Sequence, residues 1–103
     1  MKIPKTVKIG WRNYTVKFID ERRDEKGNLL DGEIDLTNHF IYIDETIANE
    51  EEKMIVFLHE VVHGIFHNQR HNKYGNNEEL VEAISEGLFQ LVRDNPNLFS
   101  GKG

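Results

Sequence analysis

The chain has 103 residues, of which 38% are apolar, no cysteine, and a formal charge of −5 at pH 7. That length is one domain, since a single core seldom divides below about 200 residues. The missing cysteines exclude disulfides, thiolate zinc ribbons and a thiol nucleophile, and the acidic balance argues against nucleic acid as the main partner.

The longest apolar run, Met54 to Leu58, is far short of the roughly 18 residues a membrane span needs. The N-terminus has no h-region of a signal peptide, so the expected address is the cytoplasm. Charge is unevenly spread: residues 1–26 hold eight basic and four acidic side chains, and 27–103 hold five and fourteen. This reads as a solvated basic edge on an acidic domain.

In chain order, Thr6 to Ile9 and Asn13 to Ile19 alternate apolar and polar residues around Gly10, the pattern of a β-hairpin. A charged turn from Asp20 to Asn28 follows. Leu29 to Leu36 and Phe40 to Ile43 form a second pair joined through Thr37-Asn38, with Ile34 and Leu36 alternating against Glu33 and Asp35 as a half-buried strand does. From Asn49 the period changes. An Asn followed by three Glu is an N-cap with acids in the first turn, and Met54, Phe57, Leu58, Val61, Val62 and Ile65 recur at helical spacing to about Asn68.

A polar loop from Gln69 to Asn76 leads to a last helix, Asn77 to Asp94, expected to bury Leu80, Val81, Ile84, Leu88, Leu91 and Val92 before Pro96 stops it. The expected fold is α+β. It is one domain over 1–103, with a small antiparallel sheet of three or four strands (1–48) and two helices (49–68 and 77–94) packed on one face of the sheet.

One segment carries chemistry: His59-Glu60-Val61-Val62-His63. Residues four apart on a helix share a face, so the two imidazoles point together. Two nitrogens about 2.0–2.1 Å from a common point are half of a tetrahedral zinc site. Glu60 stands beside them, where a general base takes a proton from water activated by the metal. Random shuffling of this composition gives His-Glu-x-x-His with a probability of roughly 0.02. A carboxylate and two imidazoles in the most apolar helix would be costly unless paired or metal-bound. A single zinc ion per chain is the expected cofactor.

The third ligand has several claimants. His67 continues the same face, but it lies about 12 Å of helix rise from His59, too far for three ligands from one straight helix. It reads as a rim residue or a cation at the helix end. His71 could fold back from the loop. The last helix offers Glu78, Glu79, Glu82 and Glu86. On a helical wheel Glu82 lies beside Phe89, nearest the apolar arc and placed to face a neighbouring helix, so Glu82 is the expected ligand, with Glu79 and Glu86 pointing further out. The metzincin pattern fails, because its glycine and third histidine would fall on Phe66 and Gln69. Tyr74 and His71 are the candidate oxyanion donors. Gly64 and Gly87 each cost a helix about 1 kcal/mol relative to Ala, which suggests close backbone packing, or room for substrate beside His63.

The His59–His63 motif, followed by Glu78-Glu79-Leu80-Val81-Glu82-Ala83 and Gly87-Leu88-Phe89-Gln90-Leu91, resembles the ImmA/IrrE-type zinc metallopeptidases. The likeness is strongest to the small versions carried by phages and prophages. Ile3-Pro4-Lys5-Thr6-Val7-Lys8-Ile9 and Asp94-Asn95-Pro96 also look like that group. The resemblance implies that a Glu-Ala on the second helix supplies the third ligand, which maps onto Glu82-Ala83. It departs from larger relatives at Ile84-Ser85-Glu86-Gly87, where these continue with Phe-Ala and a Leu-Met-Pro stretch. It implies a gluzincin-like metalloendopeptidase acting on a protein, such as a phage or prophage regulator. In that case Glu60 is the base, and the strand from Phe40 to Ile43 offers an edge to an extended peptide. Two rivals stay open: a non-catalytic zinc-binding module contacting a regulator or phage component, and a metal-free adaptor.

Overall fold

A computed structural model describes residues 2–100. Strands β1 (Thr6–Ile9) and β2 (Arg12–Ile19) form the expected hairpin, paired antiparallel with Ile9 opposite Arg12. Gly10 makes this tight reversal possible, since it sits at a φ of +63°, a conformation that side chains with a Cβ resist. After residue 19 the chain makes an excursion clipped by a bridge between Arg23 and Leu29, and only then enters β3 (Gly32–Asp35) and β4 (Phe40–Asp44). Strand β3 is therefore shorter than the Leu29–Leu36 expected.

The sheet order is β1-β2-β4-β3, and β2 and β4 run parallel, with Thr15 opposite Phe40 and Ile19 opposite Asp44. The sheet is mixed, not antiparallel. The reason lies in β4, whose alternate residues Ile41 and Ile43 are fully buried. The most apolar strand takes an interior place, and β3 is displaced to the rim. This also corrects the expected free edge: Phe40–Asp44 is paired on both sides, and the open edge beside the helices is Gly32–Asp35. The β3–β4 turn is tied by Asp35, whose carboxylate accepts from the Thr37 and Asn38 backbone N–H groups at 3.0 and 2.9 Å, holding its pKa below the ordinary value.

Helix α1 (Glu50–Asn68) starts where Asn49 caps it, its side chain accepting from the N–H groups of Glu51 and Glu52. The loop expected after it contains a single helical turn, α2 (Asn72–Gly75), before α3 (Glu78–Asp94), capped by Asn77. Only α1 rests on the sheet. Helix α3 packs on α1 and α2 and, among the described residues, not on the strands. The expected sheet with two packed helices is present, but α3 reaches the sheet only through α1, giving three layers: sheet, α1, α3.

This stacking explains why α1 is so apolar. It must satisfy two neighbours, with Met54, Phe57, Val62, Gly64 and Glu60 buried and Leu58 and Val61 packed against the core. Helix α3 buries a narrower stripe, Val81, Ser85 and Phe89, while Leu91 stays 42% exposed, contrary to expectation. Gly64 lies so close to the sheet that an added Cβ would stand 2.8 Å from Ile9 and 3.0 Å from Ile34, which accounts for that glycine by packing. An added Cβ at Gly87 would meet nothing within 4 Å, so packing does not account for it. No helix of the described residues is long and apolar enough to cross a membrane.

Candidate metal centre

The middle of α1 turns His59 and His63 toward α3. Their rings lie 4.8 Å apart between centroids, and the two Nε2 atoms are 3.1 Å from each other. Helix α3 begins opposite them. In its first turn Glu78 places one carboxylate oxygen 3.0 Å from His59 Nε2 and the other 3.1 Å from His63 Nε2. Three donor groups thus converge, and these residues could hold a metal ion. Their spacing fits one: ligands about 2.0–2.1 Å from a tetrahedral zinc stand about 3.4 Å apart, close to the separations found. Two imidazole nitrogens facing each other and one carboxylate are also the donor set such an ion takes.

The acid that completes the group able to hold an ion is Glu78, whereas the expected ligand was Glu82. Glu82 lies one turn further along α3, and its carboxylate meets the other side of the same ring, 2.9 Å from His59 Nδ1. A carboxylate on the far nitrogen of a metal-binding histidine fixes the tautomer and the ring orientation. Both acids thus contact His59, one at each ring nitrogen. The buried stripe Val81, Ser85, Phe89, extended back by helical steps of three, reaches both Glu82 and Glu78. Glu79 lies outside the group.

Glu60, next to His59 on α1, leans toward the sheet edge at Gly32. It is 7% exposed, beside Gly32, where an added Cβ would stand 3.2 Å from its Oε2. Burial, then the charges of Glu78 and Glu33, raise its pKa from the ordinary 4.5 to about 8. A cleft of about 380 Å³ is lined by His59, Glu60, His63 and Glu78 together with β3 residues Gly32, Glu33 and Ile34. The His59, His63 and Glu78 group and Glu60 thus open onto one space next to the free sheet edge.

Of the accessory candidates, His67 lines this cleft, its Nδ1 3.3 Å from Asn72 Oδ1. His71 and Tyr74 do not line it. They pack on each other at 5.6 Å, and Tyr74 faces Phe66. Sequence reasoning missed the placement of Glu78, the role of Gly32 and the contribution of Asn72. The available signal for Glu78 was its spacing of four from Glu82, which matches the spacing of His59 and His63 on the facing helix.

Compared with protein-family models, curated proteins and solved structures, the chain gives no match.

Proposed function

We propose that this chain is a zinc-dependent peptidase of the ImmA/IrrE type, hydrolysing a peptide bond in a protein substrate. The observation that carries the reading is the convergence on one cleft of His59, His63 and Glu78 with the carboxylate of a largely buried residue, Glu60. Neither His67 nor His71 joins the ligand group among the described residues, which supports an open fourth position, as catalytic sites require. Zinc held there would supply an acidified water and polarise the substrate carbonyl.

The chain's own residues do the rest. Glu60 takes a proton from the attacking water and returns it to the leaving amine. Its environment suits that work, since burial weakens the hold of solvent on the carboxylate and a neighbouring dication restores its ionised form. Glu82 keeps His59 in the tautomer that leaves Nε2 free. The unpaired edge of β3 runs along the cleft and is suited to align an extended peptide by backbone hydrogen bonds. The likeness to phage-borne enzymes suggests a regulator as the substrate, met in the cytoplasm.

The test compares zinc-loaded wild type with Glu60→Gln on a protein-derived peptide mixture. The variant keeps one equivalent of zinc and loses cleavage by a factor of about 10²–10⁴. Undiminished cleavage by Glu60→Gln would remove this residue from the mechanism, and a wild type that cleaves nothing while holding zinc would return the chain to a binding role.

A further inference from the structure

On the side of Glu60 away from His67 the cleft continues into a groove. Two adjoining hollows of about 220 and 270 Å³ share Asp31, Ile55, Val56 and Glu82 as walls. The first opens onto His59 and Glu60, and the second runs outward past Ile47, Glu52 and Glu86. The floor is apolar and the rim is acidic. The rim acids come from three places in the chain: Asp31 precedes β3, Glu52 lies in the first turn of α1, and Glu86 lies midway along α3.

None of the three meets a cation among the described residues, unlike several acids nearby. Glu33 is paired with Arg22, Glu50 with Lys53, and Glu51 with Arg93. Asp31, Glu52 and Glu86 have no ion pair or side-chain hydrogen bond with any described residue, and no Lys or Arg lines either hollow. At the inner end Glu60, 7% exposed and with no hydrogen-bond partner among the described residues, adds a fourth carboxylate aimed into the space. An apolar floor below unpaired carboxylates fits a side chain with a long aliphatic stem and a cationic head, which buries the one and solvates the other.

We infer that this groove is a specificity subsite for a lysine or arginine flanking the scissile bond, so that the substrate class is a peptide segment with a basic residue at one fixed position. The inference rests on the peptidase reading. Selection of this kind acts through electrostatic complementarity more than through contact area, and it weakens as salt is added.

The zinc-loaded full chain and its Asp31→Asn, Glu52→Gln, Glu86→Gln triple variant are each incubated with a proteome-derived peptide library, and cut sites are read by mass spectrometry. Wild type enriches Lys and Arg about tenfold at one position beside the cut, and the triple variant brings this below about twofold while cutting sites without basic residues as before. No basic preference in wild type, or a preference that survives the triple substitution, overturns the inference.

Binding separates this from failure of the peptidase reading. With Glu60→Gln as the zinc-loaded host, fluorescein-labelled Ala-Ala-Leu-Lys-Ala-Ala binds about tenfold tighter than the same peptide with Glu replacing Lys. Adding the triple substitution erases that difference. Equal affinities overturn the subsite whether or not anything is cleaved. A second equivalent of zinc, lost in the triple variant, also overturns it and assigns the groove to a metal ion.

Discussion

Glu82 holds one nitrogen of His59 while Glu78 faces the other, at 2.9 and 3.0 Å on opposite sides of a single ring. The two acids are one helical turn apart on α3, so their effects on metal binding should differ in kind. On the zinc reading proposed above, Glu78→Ala removes a ligand, and metal analysis should find less than one equivalent retained through gel filtration. Glu82→Ala leaves all three ligands and removes only the brace on His59. Its zinc should remain bound with an affinity lower by about 10–100-fold, measured by competition with a chromophoric chelator. Full retention by Glu78→Ala together with complete loss in Glu82→Ala would reverse these roles.

The buried acid gives the metal-free protein a particular pH response. Glu60 titrates near 8 in the folded chain and near its ordinary 4.5 when unfolded, so between these values the folded state holds a proton that the unfolded state has released. Stability therefore falls as pH rises from about 4.5 to about 8 and is flat, with respect to this group, outside that window. The full shift corresponds to a few kcal/mol. Denaturant titrations of metal-free wild type and Glu60→Gln at pH 5.5 and 8.0 isolate the effect, since only wild type should lose stability through Glu60. Equal slopes for the two proteins would show that Glu60 is solvated. Loading with zinc should lessen the wild-type slope, because an adjacent dication favours the ionised carboxylate.

Much of this arrangement was legible in the residues. Helical period and caps placed α1 and α3 to within a residue, because Asn49 and Asn77 offer side-chain acceptors to the first-turn N–H groups. The pairing of His59 with His63 followed from local geometry alone. What could not be read was long-range. The parallel pairing of β2 with β4 depends on which strand is central, and alternation within a strand does not encode that. The choice between Glu78 and Glu82 depends on how far α3 slides along α1, a quantity set by packing of Val81, Ser85 and Phe89. The three-layer order also hid Glu60. On a wheel it shares a polar face with the histidines, yet it is pressed against β3 because both sides of α1 are covered.

Gly32 marks that contact between sheet and helix. A Cβ there would stand 2.5 Å from Val56 Cγ1, 3.1 Å from the Tyr42 carbonyl oxygen and 3.2 Å from Glu60 Oε2. The backbone carbonyl cannot move without disturbing the β3–β4 ladder, so Val56 and Glu60 must give way. Gly32→Ala should cost about 1–3 kcal/mol by overpacking, read as a lower melting temperature of the metal-free protein. If the chain is the proposed peptidase, it should also lower peptide cleavage beyond what lost folding explains, since Glu60 is displaced while His59, His63 and Glu78 are untouched. Normal stability and activity in this variant would mean that the sheet edge and α1 stand further apart.

The capping residues allow metal affinity to be separated from general stability. Asn77 accepts a hydrogen bond from the Leu80 N–H at 3.1 Å and holds the turn that carries Glu78. Asn49 does the same for α1, accepting from Glu51 and Glu52 at 2.8 and 3.1 Å, ten residues before His59. Replacing either cap with Ala should cost about 1 kcal/mol, so the two metal-free variants should melt alike. Their zinc affinities should not be alike. Fraying the first turn of α3 withdraws Glu78 from the histidines, and Asn77→Ala should bind zinc several-fold more weakly. Fraying the first turn of α1 leaves His59 and His63 in the helix interior, and Asn49→Ala should bind as wild type does. Equal affinities for the two caps would mean that the start of α3 is held by its packing on α1 and α2 rather than by Asn77.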